Sequence, residues 1–336
     1  MVIYTGGTIG MVQAPGKTSL APCDFDSLTA QIPELNKLDI SISTETLEET
    51  IDSSNMHPRI WLFIANMIKE QYDAYDGFVI LHGSDTMAYT ASGLSFALEN
   101  LSKPVILTGS QLPMGVIRTD GKENFLTALE IAAAKKEDGS AMVPEVAIYF
   151  EYKLYRGNRT YKYSAENFDA FHSPNYPILA EAGVHIKYKE RYIYKANEKP
   201  LQVNTVHSTD VAVVHLFPGI SENALKPILL NENIRGIVLL TYGAGNASTA
   251  TWFIDLLIES IEQGKLILNV SQCQSGTVDQ GKYDTSTLLK EIGVFSGADM
   301  TTEAAVTKLM YLLGYDFSKQ EIEYYLSCSL RGEITL

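Results

Sequence analysis

The stretch VIYTGGTIG, residues 2–10, decides the fold. A short β-rich apolar run leads directly into two adjacent glycines, and FVILHGSDT at residues 78–86 repeats this order of apolar strand and glycine turn. Continuous apolar strands of this kind are typical of parallel sheets, because helices cover both faces of the sheet. The turns mark the carboxyl ends of the strands, where open α/β folds bind their ligands.

Similar apolar runs alternate with segments of helical periodicity along the rest of the chain. The predicted strands are residues 2–4, 78–81, 105–108, 146–150, 211–216, 237–241 and 266–270. The predicted helices are residues 60–68, 86–101, 125–131, 251–262 and 303–313. This alternation predicts an α/β protein whose sheets are mainly parallel and flanked by helices.

One polar stretch interrupts the alternation. Residues 187–208 are rich in Tyr, Lys, Glu and Asn and show no apolar periodicity, so we interpret them as a linker. A chain of 336 residues is also long enough for two cores. The sequence therefore predicts a larger N-terminal catalytic domain over residues 1–186 and a smaller C-terminal α/β domain over residues 209–336.

Charge and composition narrow the function classes. The chain has 26 Lys and Arg against 40 Asp and Glu, a formal net charge of -14, which disfavours nucleic acid and anionic membrane surfaces as partners. The three widely spaced cysteines suggest neither disulfides nor zinc and fit a reducing cytoplasm. The six histidines show no paired ligand spacing, so we expect no metal.

The two glycine turns present side chains suited to hydrolysis. Thr8 follows the first strand, and Ser84 and Asp85 follow the second, so hydroxyls and a carboxylate meet at one edge of the sheet. A dinucleotide site is disfavoured, because the GxGxxG pattern would need glycine where Thr5 stands. Taken alone, Ser84 could instead cap the helix that follows it.

A third polar stretch, RGNRTYK at residues 156–162, follows the strand that ends at Phe150. Most lysines are solvated surface residues, and Lys162 could be one of them. A lysine held beside Asp85 could instead relay protons, since burial lowers its pKa while the carboxylate opposes that shift.

The motifs TGGTIG at 5–10, HGSDTMAYTAS at 82–92 and RGNRTYK at 156–162 resemble, in this order, the active-site motifs of bacterial asparaginases. The similarity is closest to the cytoplasmic type I enzymes and covers essentially the whole chain. Further matching motifs are DSSNM at 52–56, TGSQ at 108–111, YGAGN at 242–246 and GADMT at 297–301. The resemblance implies a cytoplasmic hydrolase that converts L-asparagine to L-aspartate and ammonia without a cofactor.

The resemblance also implies residue roles. Thr8 would attack the side-chain amide and form a β-aspartyl ester that water hydrolyses, while Ser84, Asp85 and Lys162 form a second hydroxyl, acid and lysine set. The residues implied to bind the substrate are Gly7, Asp52, Ser53, Ser54, Ser84, Asp85, Ser110 and Asn246. In related enzymes the motif that contains Asn246 reaches the active site of a neighbouring subunit, which implies a homodimer or homotetramer with shared sites. Asp52 and Asn246 could alternatively be plain turn residues.

Three positions depart from the family pattern. Ser84 stands where many relatives have threonine, so a methyl group that helps to fix the rotamer is lost. Leu20 stands in the predicted lid, residues 11–22, where many relatives have a catalytic tyrosine. Leu240 stands where some type I enzymes have an arginine that binds an allosteric asparagine.

Besides asparaginase, two other classes of function stay open at this stage: another enzyme on the same scaffold, and a protein that binds without catalysis. The same scaffold supports broader glutaminase-asparaginases and the asparaginase-like subunit of a tRNA-dependent amidotransferase, and the side chains of asparagine and glutamine differ by a single methylene. A catalytically silent aspartate or asparagine sensor is the third possibility.

Overall fold

A computed structural model describes residues 1–13, 20–22, 32–281 and 284–335, without the side chains of residues 12–13, 20–22 and 284–285. Residues 14–19 of the predicted lid at 11–22 lie outside these residues, and the Leu20 side chain is also not described. The chain forms two compact units, Met1–Ser173 with Pro177–Thr205, and Pro174–Tyr176 with Val206–Leu336. Each unit has its own sheet and helices, which confirms the predicted α/β class.

The first unit contains fourteen described strands, eight of which form one large sheet. Its strands along the chain are β1 Val2–Tyr4, β2 Met11–Gln13, β3 Leu20–Pro22, β4 Thr44–Thr46, β5 Phe78–Leu81, β6 Leu98–Glu99, β7 Val105–Thr108, β8 Val146–Phe150, β9 Lys153–Arg156, β10 Tyr161–Lys162, β11 Phe171–His172, β12 Ala180–Glu181, β13 Lys187–Tyr188 and β14 Gln202–Val203. The order in the large sheet is β13-β12-β9-β8-β7-β5-β1-β4. The pairs from β4 to β8 are parallel, and those from β8 to β13 are antiparallel.

Three α-helices described in the first unit are α1 Pro58–Glu70, α2 Met87–Ala97 and α3 Gly121–Ala133. Helix α1 begins at a proline, a residue whose fixed φ suits the first turn of a helix, and His57 caps it by accepting a hydrogen bond from Arg59 N. Helix α2 is buried along almost its whole length. It ends before the predicted Leu101, because Leu98 and Glu99 leave the helix to pair with β14.

The second unit has a wholly parallel sheet. Its strands, also in spatial order, are β15 Val211–His215, β16 Gly236–Thr241, β17 Leu266–Ser271 and β18 Phe295–Ser296. Its described helices are α4 Glu222–Leu229, α5 Thr251–Glu262, α6 Asp284–Glu291, α7 Thr302–Leu313 and α8 Lys319–Ser327. The buried residues Ile237, Leu239 and Ile267 of the sheet pack with Phe253 and Leu257 of α5.

The stretch interpreted as a linker, 187–208, belongs to the first unit as far as Thr205. Its pairing is confined to two-residue strands, β13 with β12 and β14 with β6. Asn204 adds a side-chain hydrogen bond from Nδ2 to Phe96 O at 3.2 Å. None of the helices in the described part of the chain has the length and apolar character that crossing a membrane requires.

Candidate active site

Three turns of the first unit pack closely at the carboxyl ends of β1 and β5. Gly7 has φ 90°, and a Cβ atom there would collide with the backbone of Gly83. A Cβ atom at Gly83 would in turn lie 2.6 Å from Ser53 Oγ. The turn that contains Ser53 is also held by a hydrogen bond from Ile51 N to Thr5 O at 2.7 Å. Glycine is therefore needed at positions 7 and 83 for the three turns to meet.

Lys162 joins this group of turns from β10. Its Nζ donates to Ser84 Oγ at 2.8 Å and to Asp85 Oδ1 at 2.6 Å. The Lys162 side chain is 16% exposed and that of Asp85 63% exposed. Lys162 is thus not a freely solvated surface lysine, and Ser84 makes no cap hydrogen bond to α2, so the capping interpretation is wrong.

The hydroxyl of Ser84 has a further partner that sequence reasoning missed. Ser84 Oγ donates to Gln111 Oε1 at 3.1 Å. Gln111 lies in the TGSQ motif, in which the sequence predicts a binding role for the neighbouring Ser110. Ser110 is buried, and its hydroxyl donates to Leu112 O at 2.6 Å.

Thr8 opens a short 3-10 turn, Thr8–Gly10, directly after Gly7 and is partly exposed. On the turn that carries Ser84 and Asp85, Thr86 Oγ1 donates to Ser53 O at 2.7 Å. Asp52 Oδ1 accepts from Ser54 N at 2.8 Å, and hydrogen bonds from the Ser54 backbone and hydroxyl lower the Asp52 pKa. A carboxylate has room for several hydrogen bonds, so this turn-forming contact is compatible with substrate binding.

Comparison with known proteins agrees with this geometry. Residues 1–194 match the family described as "Asparaginase, N-terminal", and residues 210–326 match "Glutaminase/Asparaginase C-terminal domain". The chain belongs to the asparaginase family. The predicted resemblance is thereby confirmed.

Relatives at high coverage support the same assignment. The chain is 43% identical over 335 residues to "L-asparaginase 1" of Escherichia coli strain K12, covering 99% of this chain and 97% of that protein. It is 38% identical to a "60 kDa lysophospholipase" of Mus musculus, covering 100% of this chain and 62% of that protein. The crystal structure of L-asparaginase I from Vibrio cholerae superposes with a TM-score of 0.90 at 39% identity, covering 100% of this chain and 98% of the other.

In this asparaginase-family chain, the buried His82 links the turn that carries Ser84 to helix α2. It is fully buried; its Nδ1 lies 2.6 Å from Gly83 O, and its Nε2 lies 2.8 Å from Thr90 Oγ1. Trp61 Nε1 donates to the same Thr90 hydroxyl at 3.0 Å. Burial lowers the pKa of His82 to about 4, so the ring is neutral and acts as a structural link between the site turn and α2.

Asn246 belongs to the second unit, whereas the other predicted site residues lie in the first. It closes a turn after β16, in which Tyr242 N donates to Asn246 O at 2.9 Å and Asn246 N donates to Tyr242 O at 2.8 Å. Asn246 therefore stands in a turn at the end of β16, which is compatible with either interpretation of this residue. A role at the active site of another subunit stays a prediction.

The part of the chain that the structure describes contains no cluster of three His, Cys, Asp or Glu side chains that could hold a metal ion. The groups at the candidate site are hydroxyls, two carboxylates (Asp52 and Asp85), the Lys162 amine and the Gln111 amide. Such a set can deliver a nucleophile, transfer protons and bind a small zwitterion.

Proposed function

We propose that this chain hydrolyses L-asparagine to L-aspartate and ammonia, with Thr8 as the nucleophile. The observation that carries the proposal is the pair of hydrogen bonds from Lys162 Nζ to Ser84 and Asp85, on a turn packed against Gly7, the neighbour of Thr8. Membership of the asparaginase family supports the same reaction.

The proposed reaction has two halves. Thr8 Oγ attacks the side-chain amide carbon, the carbon–nitrogen bond breaks, and ammonia leaves with the proton that the hydroxyl gave up. Water then attacks the β-aspartyl ester, and the Thr8 hydroxyl is restored. Ser84, Lys162 and Asp85 form the proton-transfer set, and backbone N–H groups at Gly7 and Ser84 stabilise the tetrahedral oxyanion.

The substrate is proposed to bind through its two charged groups. A carboxylate, Asp52 or Asp85, accepts from the α-ammonium, and the residues Ser53 and Ser54 donate to the α-carboxylate. Ser110 contributes through the backbone of its turn, since its hydroxyl already donates to Leu112 O.

We further propose that Asn246 completes the active site of a neighbouring subunit in a homodimer or homotetramer. A mixing experiment tests this idea, in which inactive Thr8→Ala and Asn246→Ala proteins are combined after mild dissociation. Shared sites predict recovery of part of the activity, whereas sites built within one subunit predict none. Light scattering gives the size of the assembly, and cell fractionation tests the proposed cytoplasmic location.

The assay that tests the reaction is ammonia release from asparagine by the purified protein, with no metal or cofactor added. Thr8→Ala is expected to abolish turnover by several orders of magnitude while the unfolding midpoint is unchanged. Rates with glutamine in the same assay separate a selective asparaginase from a broader glutaminase-asparaginase. Binding of aspartate without any turnover of asparagine would favour the silent sensor.

A further inference from the structure

The side-chain amide of Gln111 bridges two elements of the site. Its Oε1 accepts from Ser84 Oγ at 3.1 Å, and its Nε2 donates to Asn167 O at 3.1 Å. A backbone carbonyl can only accept, so the amide nitrogen must face Asn167. The Gln111 oxygen is thereby directed at Ser84.

This orientation determines how the Ser84 hydroxyl is used. A hydroxyl has one proton to donate and two lone pairs that accept. The proton points to Gln111, and a lone pair receives the hydrogen bond from Lys162 Nζ at 2.8 Å. Gln111 thus keeps the Ser84 oxygen turned towards the lysine.

Gln111 is itself held by a buried carboxylate. Asp120 accepts from the backbone N–H of Gln111 at 2.9 and 3.1 Å and from Leu112 N at 3.1 Å. Asn124 Nδ2 donates to the same carboxylate at 3.2 Å. The loop that carries Gln111 is therefore tied to the start of α3, and the amide is presented from a fixed backbone.

Asn167 lies in the turn between β10 and β11, and β10 carries Lys162. One amide therefore joins the turn that bears Ser84 to the hairpin that bears Lys162. If that amide is removed, the turn that bears Ser84 and the hairpin that bears Lys162 lose the hydrogen bonds through which Gln111 connects them.

We propose that Gln111 is a positioning residue for the asparaginase reaction, acting through the Ser84 hydroxyl; the inference rests on the proposed function. Serine has three staggered χ1 wells, and it lacks the γ-methyl that restricts threonine. The hydrogen bond to Gln111 supplies the restriction that this methyl group provides where relatives have threonine.

Kinetics of Gln111→Leu test the proposal. Loss of one orienting hydrogen bond is expected to lower kcat roughly tenfold, with little change in KM. The matched control is Gln202→Leu, because Gln202 is an exposed glutamine of β14, and it is expected to leave both parameters unchanged. An unchanged kcat in Gln111→Leu would remove the proposed role.

A double-mutant cycle with Ser84→Thr separates positioning from general loosening of the loop. In the Gln111→Leu background the added methyl should recover most of the lost kcat, and this gain should exceed any effect of Ser84→Thr on the kcat of the wild-type background. Equal effects of Ser84→Thr in both backgrounds would show that Gln111 does not act through Ser84.

A structural readout keeps this proposal separate from the proposed function. High-resolution crystal structures of Gln111→Leu and Gln111→Leu/Ser84→Thr need no turnover. We expect Ser84 in more than one rotamer in the first variant, and the introduced threonine side chain in a single rotamer in the second. A single, unchanged Ser84 rotamer in Gln111→Leu would overturn the positioning role, whereas absence of ammonia release by the wild-type protein would overturn the function alone.

Discussion

Two lysine–carboxylate pairs, one in each unit, have nearly the same geometry and very different surroundings. Lys162 Nζ lies 2.6 Å from Asp85 Oδ1, with side chains 16% and 63% exposed. Lys308 Nζ lies 2.7 Å from Glu333 Oε1, with both side chains 0% exposed. The distance between the charges therefore does not distinguish a chemical role from a structural one.

The hydrogen bonds around each pair do distinguish them. Lys308 also donates to Cys328 O, and Glu333 accepts from the backbone N–H groups of Leu330 and Arg331. The buried pair thus ties α7 to the C-terminal segment. The Lys162 pair includes the hydroxyl of Ser84 and an exposed carboxylate, so a small ligand can reach it and exchange protons with it.

The largest expected effect comes from removing the exposed pair. Lys162→Met should lower kcat/KM by about a hundredfold to ten-thousandfold, the range typical of general acid–base groups. The free energy of unfolding should change little, because a partly exposed ion pair contributes little to stability. Lys153→Met, which breaks a pair with Asp169 at 2.9 Å in the same unit, is the matched control and should retain activity. Comparable kinetic losses in both variants would contradict the assignment of Lys162.

Removing the buried lysine should lower stability and leave kcat unchanged, which is the opposite of the effect expected at Lys162. Lys308→Met removes the ammonium group that faces the buried Glu333 carboxylate, which should lower the unfolding free energy by about 3 to 5 kcal/mol in denaturant titrations. The kcat of the protein that remains folded should be unchanged. Near-wild-type stability in Lys308→Met would show that the pair is not what holds the C-terminal segment.

The pH dependence of stability sharpens the contrast between buried and exposed groups. Burial lowers the folded-state pKa of His82 from 6.5 to about 4, so between these values the unfolded chain binds a proton that the folded chain does not. The free energy of unfolding should therefore fall as the pH decreases from 6.5 to 4. His82 accounts for about 3 kcal/mol of that decrease. His82→Gln should reduce the slope of unfolding free energy against pH. Part of the slope should remain, since burial also lowers the pKa of His207 to about 4.

The smallest effect is expected at an exposed pair of the second unit. Lys319 and Glu323 lie four residues apart on α8, with 3.9 Å between the charged atoms and side chains 80% and 43% exposed. Lys319→Met should change the unfolding free energy by less than about 0.5 kcal/mol. A loss close to that of Lys308→Met would mean that burial does not control the contribution of these pairs.

The sequence predicted the strands best where both faces of the sheet are covered. The runs at 2–4, 78–81, 105–108 and 146–150 coincide with β1, β5, β7 and β8, because a buried parallel strand must be apolar throughout. The two-residue strands β10 to β14 were missed, since two residues are too few to show periodicity. The amphipathic helix α4 was also missed, because a proline such as Pro227 usually interrupts a helix.

The sequence predicted those residues of the candidate site that lie in the three active-site motifs. Ser84 and Asp85 follow the carboxyl end of β5, as predicted, and Lys162 reaches them from β10, which belongs to a separate two-stranded sheet. The role of Gln111 could not be predicted from the sequence, because a neutral amide next to a serine carries no chemical signal until its partners are known. That a hydroxyl is oriented by an amide from another loop depends on tertiary packing, which spacing along the chain does not encode.

The most direct test of the account is a crystal structure of the protein with L-aspartate bound. The account predicts a single aspartate whose side-chain carboxylate lies within hydrogen-bonding distance of both Thr8 Oγ and Ser84 Oγ, next to Lys162. An aspartate bound away from these residues, or a Thr8 hydroxyl too distant to reach its side-chain carbon, would contradict the proposed active site.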